Sequence, residues 1–212
     1  GRFLPTLAAF LLRLFTGGIR AQEIAIEAAA QIAHLQRSGV RLTHIDTHKH
    51  VHVFPAVLRP VLGAARAAGI HAVRHPFEPD WAMRAAMGAS LARVAQVAAL
   101  SPLASPSRQI IAQEGFATSD GTIAVAGTGT LDGSTLRSLL RLLPAGIWEL
   151  VTHPGYNDTE LDNVRTRLRA SRDVERQALP AIHEFPGIEL ISFAALARPS
   201  ISASSGSVRA GL

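Results

Sequence analysis

The sequence predicts an α/β protein in which parallel strands alternate with helices in a barrel-like arrangement. Apolar residues at helical spacing (Ile24, Ala28, Ile32, Leu35) run through residues 19–38 and stop at Gly39, and a strand follows over residues 40–48. A second helix over residues 55–68 closes at Gly69, after which Ile70-His-Ala-Val-Arg74 reads as a short buried strand, completing a βαβ order. The alternation returns later as a helix over residues 131–143, capped by Asp132 or Ser134, a strand over 146–152, a long helix over 159–183 and a strand over 188–193. Strands separated by helices imply a parallel sheet or barrel with its helices outside.

The remaining segments fill in around this frame. Residues 3–15 are apolar, interrupted by Arg13 and far short of the roughly 20 apolar residues that span a bilayer, so they predict an amphipathic helix or lid. Residues 81–100 predict one Ala-rich helix, 101–107 a loop with two prolines, and 116–133 an irregular, glycine-rich insertion. The glycine pairs at 17–18 and 127–129 match no nucleotide-binding fingerprint. Residues 1–197 are expected to form a single domain and residues 198–212, rich in Ser, Gly and Ala, a disordered tail.

Composition narrows the chemistry. A length of 212 residues with 48% hydrophobic and 17% charged content suits one globular domain. The chain has no cysteine, which excludes disulfides, thiolate zinc sites and cysteine nucleophiles and is compatible with a cytoplasmic setting. The net charge of +5 comes almost wholly from arginine scattered through Ala-rich helices, Lys49 being the only lysine, so no nucleic-acid partner is expected. The arginine-dense stretch around Arg165, Arg169 and Arg176 reads as a solvated helix face.

The most informative stretch is His44-Ile-Asp46-Thr-His48-Lys-His50-Val-His52. All five imidazole and carboxylate groups occupy even positions, so on a strand they would share one face, an arrangement that core packing does not require. Imidazole and carboxylate are common ligands of a divalent ion. A strand cannot aim five groups at one ion, so His44 and one of His50 and His52 also suit a buried hydrogen-bond network. Arg74 and His75 end the next strand, and Thr152-His153-Pro-Gly-Tyr156 a third. Active sites of parallel α/β folds lie at the C-terminal ends of strands, which makes His153 a candidate for proton transfer.

These motifs carry a family resemblance. His44-Ile-Asp46-Thr-His48-Lys-His50-Val-His52-Val-Phe-Pro55, then Gly69-Ile-His-Ala-Val-Arg74, then Glu149-Leu-Val-Thr-His153-Pro-Gly-Tyr156 and the stretch from Arg167 through Ser171 to Glu175, resemble in order and spacing the YdjC-like carbohydrate deacetylases. The resemblance implies a hydrolase that removes acetyl groups from N-acetylated sugars or glycolipids, with Mg²⁺ as cofactor; Zn²⁺ is chemically as reasonable. It implies His48 as metal ligand, Asp46 and Arg74 as active-site groups, His50, His52 and Tyr156 near substrate, and His153 as general acid. In that chemistry a metal-bound water attacks the amide and an imidazolium protonates the departing amine.

The family's opening Asp-Asp-Phe-Gly strand and the Gly-x-His ligand strand that follows it, both of which precede the histidine motif in the family, have no counterpart ahead of His44 in these residues. The expectation is therefore a domain lacking its N-terminal strands, with an exposed apolar edge that favours association with a second copy and no activity of its own. Two rival readings stand beside this one. One is an amidohydrolase or phosphoesterase barrel using a His-x-His metal pair; the other is an inactive metal-binding remnant.

Overall fold

The computed structural model describes residues 3–86, 88–164, 166, 168–196 and 208–211. They form a mixed α/β structure, mostly helical, with a small parallel sheet. The chain divides into two compact units, one of Gly1–Arg74 with Ser105–Ala117 and the other of His75–Ala104 with Thr118–Leu212.

Among the described residues the first unit holds four α-helices: α1 (Leu7–Phe15), α2 (Ala21–Arg37), α3 (Pro55–Ala67) and a fourth, Ala104–Gln113, whose first residue belongs to the other unit. Thr6 caps α1 by accepting the Ala9 N–H. In α3 the residues at helical spacing, Val57, Leu58, Val61, Leu62 and Ala65, are all buried against a core that includes Leu14, Ile32, Ile45 and Ile111. Burying a side chain such as Leu58 or Leu62 contributes about 1.5–3 kcal/mol. The expected strands here shrink to single parallel bridges, Ile45 with Val73 and Ala72 with Ala117. They align three extended runs through Ile45 N–H to the Ala72 carbonyl, Arg74 N–H to the Ile45 carbonyl and Val73 N–H to the Ala117 carbonyl.

The second unit contains the sheet. Strands β1 (Gly121–Ile123), β2 (Gly146–Leu150), β3 (Ile188–Ile191) and β4 (Val208–Gly211) are all parallel, in the order β1-β2-β4-β3. Of residues 198–212, expected as a disordered tail, only Val208–Gly211 are described, and they run as strand between β2 and β3. Asp132 caps the helix Gly133–Arg141 by accepting the Thr135 N–H, and that helix buries Leu136, Leu139 and Leu140 beside Ile123 and Leu150.

Two helix expectations and one loop expectation are corrected. Residues 81–100 do not form one helix but two, Asp80–Ala85 and Leu91–Ala98, because Gly88 takes a φ of 85° and Ser90 caps a new start at the Arg93 N–H. Residues 101–107 are not a loop: Pro102 sits in a 3₁₀ turn that runs straight into the helix Ala104–Gln113. The long helix over 159–183 breaks into Thr159–Asp162, Arg169–Ala178 (hereafter the Arg169 helix) and a 3₁₀ segment, Leu179–Glu184, entered at Pro180.

Candidate active site

The histidine motif in the first unit is not a strand: Ile45 makes a single bridge, and the chain leaves the extended conformation after Thr47. Lys49 and His50 adopt left-handed φ values of 53° and 54°, folding residues 48–53 into short 3₁₀ turns, so the stripe of even-numbered side chains does not form. The turn gathers part of the set by another route. Asp46 Oδ1 accepts the Thr47 N–H at 2.7 Å and the His50 Nδ1–H at 2.9 Å, and Oδ2 accepts the Arg74 guanidinium at 2.5 Å. Burial by itself would raise the Asp46 carboxyl; the His50 hydrogen bond and the Arg74 charge outweigh it and hold the group below its ordinary value.

His52 is fully buried. Its Nε2–H donates to the Arg74 carbonyl at 3.0 Å, which leaves Nδ1 to accept the Thr47 hydroxyl at 2.8 Å, and burial lowers its basicity. A ring committed at both nitrogens has no surface for a substrate and cannot join a His50-Val-His52 ligand pair. His48 differs: its side chain is exposed and has no hydrogen bond among the described residues. As a test of a metal site the result is negative for the unit alone. Among the described residues no three His, Asp or Glu side chains are grouped so as to hold an ion; within the motif His48 makes no hydrogen bond and His50 is engaged only at Nδ1, whereas His52 is engaged at both nitrogens.

The second unit brings together a different group. Ile123 of β1 pairs with Leu150 of β2, and the Val151 N–H donates to the Ile123 carbonyl, so the loop over residues 124–129 and the turn carrying His153 leave adjacent strands at their C-terminal ends. Glu175, on the Arg169 helix and 1% exposed, accepts the backbone N–H of His153 and, at 3.1 Å, that of Gly129. Its Oε2 stands 3.8 Å from His153 Nδ1. Desolvation would raise the Glu175 carboxyl, but His153 and the Gly129 N–H together bring it below its ordinary value. Gly129 takes a φ of 84°, which a side chain there would strain. The Gly155 N–H donates to the Arg172 carbonyl, tying the same turn to the same helix. Tyr156 is 68% exposed, with the Arg176 guanidinium 4.6 Å from its ring centre.

A further buried carboxylate, Glu78, accepts the Ala126 N–H at 2.6 Å in that loop. Desolvation dominates here and pushes its carboxyl above the ordinary value despite backbone donors from Ala126, Ala124 and Val125. Reasoning from sequence passed over both glutamates as functional groups. For Glu175 a signal existed: Leu168, Ser171, Glu175 and Ala178 lie at helical spacing and form an arginine-free stripe, so the stretch read as a solvated face has one buried edge. Glu78, between Phe77 and Pro79, carries no such signal.

No solved structure matches the chain. A carbohydrate deacetylase of Brevibacillus brevis (strain 47 / JCM 6285 / NBRC 100599) is 43% identical over 56 residues, covering 26% of this chain and 22% of that protein, so the match spans about a fifth of the relative's length. The family described as YdjC-like protein matches residues 1–183, which take in the histidine turn, Arg74, His153 and Glu175, and the chain therefore belongs to the YdjC-like family.

Proposed function

We propose that the protein is a carbohydrate deacetylase, a hydrolase that releases acetate from N-acetylated sugars or glycolipids on a parallel barrel-like frame. The observation that carries this reading is His153. It follows a parallel strand at its C-terminal end, with Nδ1 buried toward the Glu175 carboxylate and the rest of the ring partly open, as a proton donor to a departing amine requires. Membership of the YdjC-like family and the 56-residue match to a carbohydrate deacetylase support it.

Within this reading Asp46 and Arg74 fix the histidine turn and so aim His48 outward. A divalent ion, Mg²⁺ ahead of Zn²⁺, belongs to the proposal through His48 alone, and needs donors other than Asp46 and His52. The test is acetate release by the full-length protein from an N-acetylglucosamine oligosaccharide. His153→Ala is expected to keep substrate binding and lower kcat by about 10²–10⁴-fold. Unchanged kcat in that variant, or no acetate released from any N-acetylated sugar, sinks the proposal.

A further inference from the structure

The loop after β1 and the turn after β2 are joined through one side chain. Glu175 takes the Gly129 N–H on Oε1 and the His153 N–H on Oε2, and the same Oε2 lies 3.8 Å from His153 Nδ1. That nitrogen is buried without a hydrogen-bond partner among the described residues, while the His153 side chain keeps 34% exposure. The accessible nitrogen of the ring is therefore Nε2. Glu175 is itself 1% exposed, and a buried carboxylate that accepts two backbone N–H groups stays ionised because those donors favour its charged form. An anion close to Nδ1 and farther from Nε2 favours the proton on the nearer nitrogen.

Resting on the deacetylase reading, we propose that Glu175 is the positioning residue of His153: it fixes the strand-end turn through the backbone and keeps a proton on Nδ1, leaving Nε2 to serve the leaving group. In the step itself, the Nε2–H proton of the imidazolium passes to the amine nitrogen as the C–N bond breaks and its electron pair moves onto that nitrogen. The ring is left neutral, with its remaining proton on Nδ1 facing Glu175. A carboxylate that merely clamped two loops would hold the backbone equally well but would leave the tautomer indifferent to its charge.

The primary experiment needs no activity. Long-range ¹H–¹⁵N spectra of the full-length protein report which nitrogen of neutral His153 carries the proton. The expected result is the Nδ1–H tautomer in wild type and in Glu175→Asp, with a shift toward Nε2–H in Glu175→Gln. An Nε2–H tautomer in the wild type overturns the proposal, as does a tautomer unmoved in a folded Glu175→Gln protein; if Gln unfolds the chain, the wild type and the Asp variant decide. In the full-length enzyme, Glu175→Gln should lower kcat by about tenfold or more with KM little changed, and should add no loss in a His153→Ala background. Additive losses overturn the proposal. Absence of acetate release in every protein would instead defeat the deacetylase reading, with the spectra still deciding the role of Glu175.

Discussion

Glu78 and Glu175 hold the same loop: the first accepts the N–H of Ala126 at 2.6 Å and the second that of Gly129 at 3.1 Å. Both are almost wholly buried, yet their carboxyls are displaced in opposite directions from the ordinary 4.5. Desolvation prevails at Glu78, whereas at Glu175 the His153 turn and the Gly129 N–H overcome it. The signs of their stability contributions therefore differ. Glu175, lowered in the folded state, stabilises fully above about pH 4.5 and loses this as pH falls through its folded value. Glu78, raised, stabilises fully below about pH 4.5 and loses this as pH rises through its folded value. Scanning calorimetry from pH 4 to 7.5 should find Glu78→Gln with a higher Tm than wild type at neutral pH, the gain fading toward pH 4.5. Glu175→Gln should show a lower Tm at neutral pH, the deficit shrinking in acid. Shifts of the same sign for both variants would refute this account.

Asp46 and Arg74 join the histidine turn to the neighbouring extended run, and neither side chain is more than about a quarter exposed. Replacing Asp46 with Asn removes the negative charge that the guanidinium and the His50 ring share. Hydrogen bonds to charged partners contribute about 1.5–3 kcal/mol, so Asp46→Asn should lower stability to urea by that order. Arg74→Met should cost a similar amount, and the double variant less than the sum. Strict additivity would mean that the pair does not couple.

Lys49 is exposed and its backbone is left-handed at φ 53°. A non-glycine residue pays about 1 kcal/mol for that conformation, so Lys49→Gly should raise stability by up to about that amount and Lys49→Val should lower it. Urea midpoints that rank the variants in the reverse order would show that the turn is not left-handed at this position.

The helices that end at Arg37 and Ala67 were legible because an apolar stripe and a terminal glycine agree at each. Elsewhere one signal masked another. The alanines of residues 81–100 suited a single helix, and the stop came from one interior glycine followed by a capping serine. The position of His153 just after a parallel strand was legible from the apolar run that precedes it. The gathering of Asp46 with His50 and His52 was anticipated for the wrong reason, since two left-handed residues, not strand alternation, bring them together. Glu175 and Glu78 were missed because a carboxylate in a polar stretch looks solvated until the backbone N–H groups it serves are known, and those lie in a distant loop.

His48 and His52 separate metal binding from folding. His48 is exposed and uncommitted, so His48→Ala should change stability by no more than about 0.5 kcal/mol. His52 is buried between the Thr47 hydroxyl and the Arg74 carbonyl, so His52→Ala loses both hydrogen bonds and leaves a cavity, at a cost of about 2–4 kcal/mol. Calorimetric titration of the full-length protein with Mg²⁺ and with Zn²⁺ should then find uptake abolished in His48→Ala while the urea midpoint is kept. His50→Ala removes one support of the turn through Asp46 and should weaken uptake by about 10- to 100-fold, the usual effect of altering a residue that orients a ligand. Stoichiometric metal retained by His48→Ala would remove this residue from the shell. Because His52 is committed at both nitrogens, the assignment would then pass to the Nε2 of His50, and the same titration on His50→Ala would decide it.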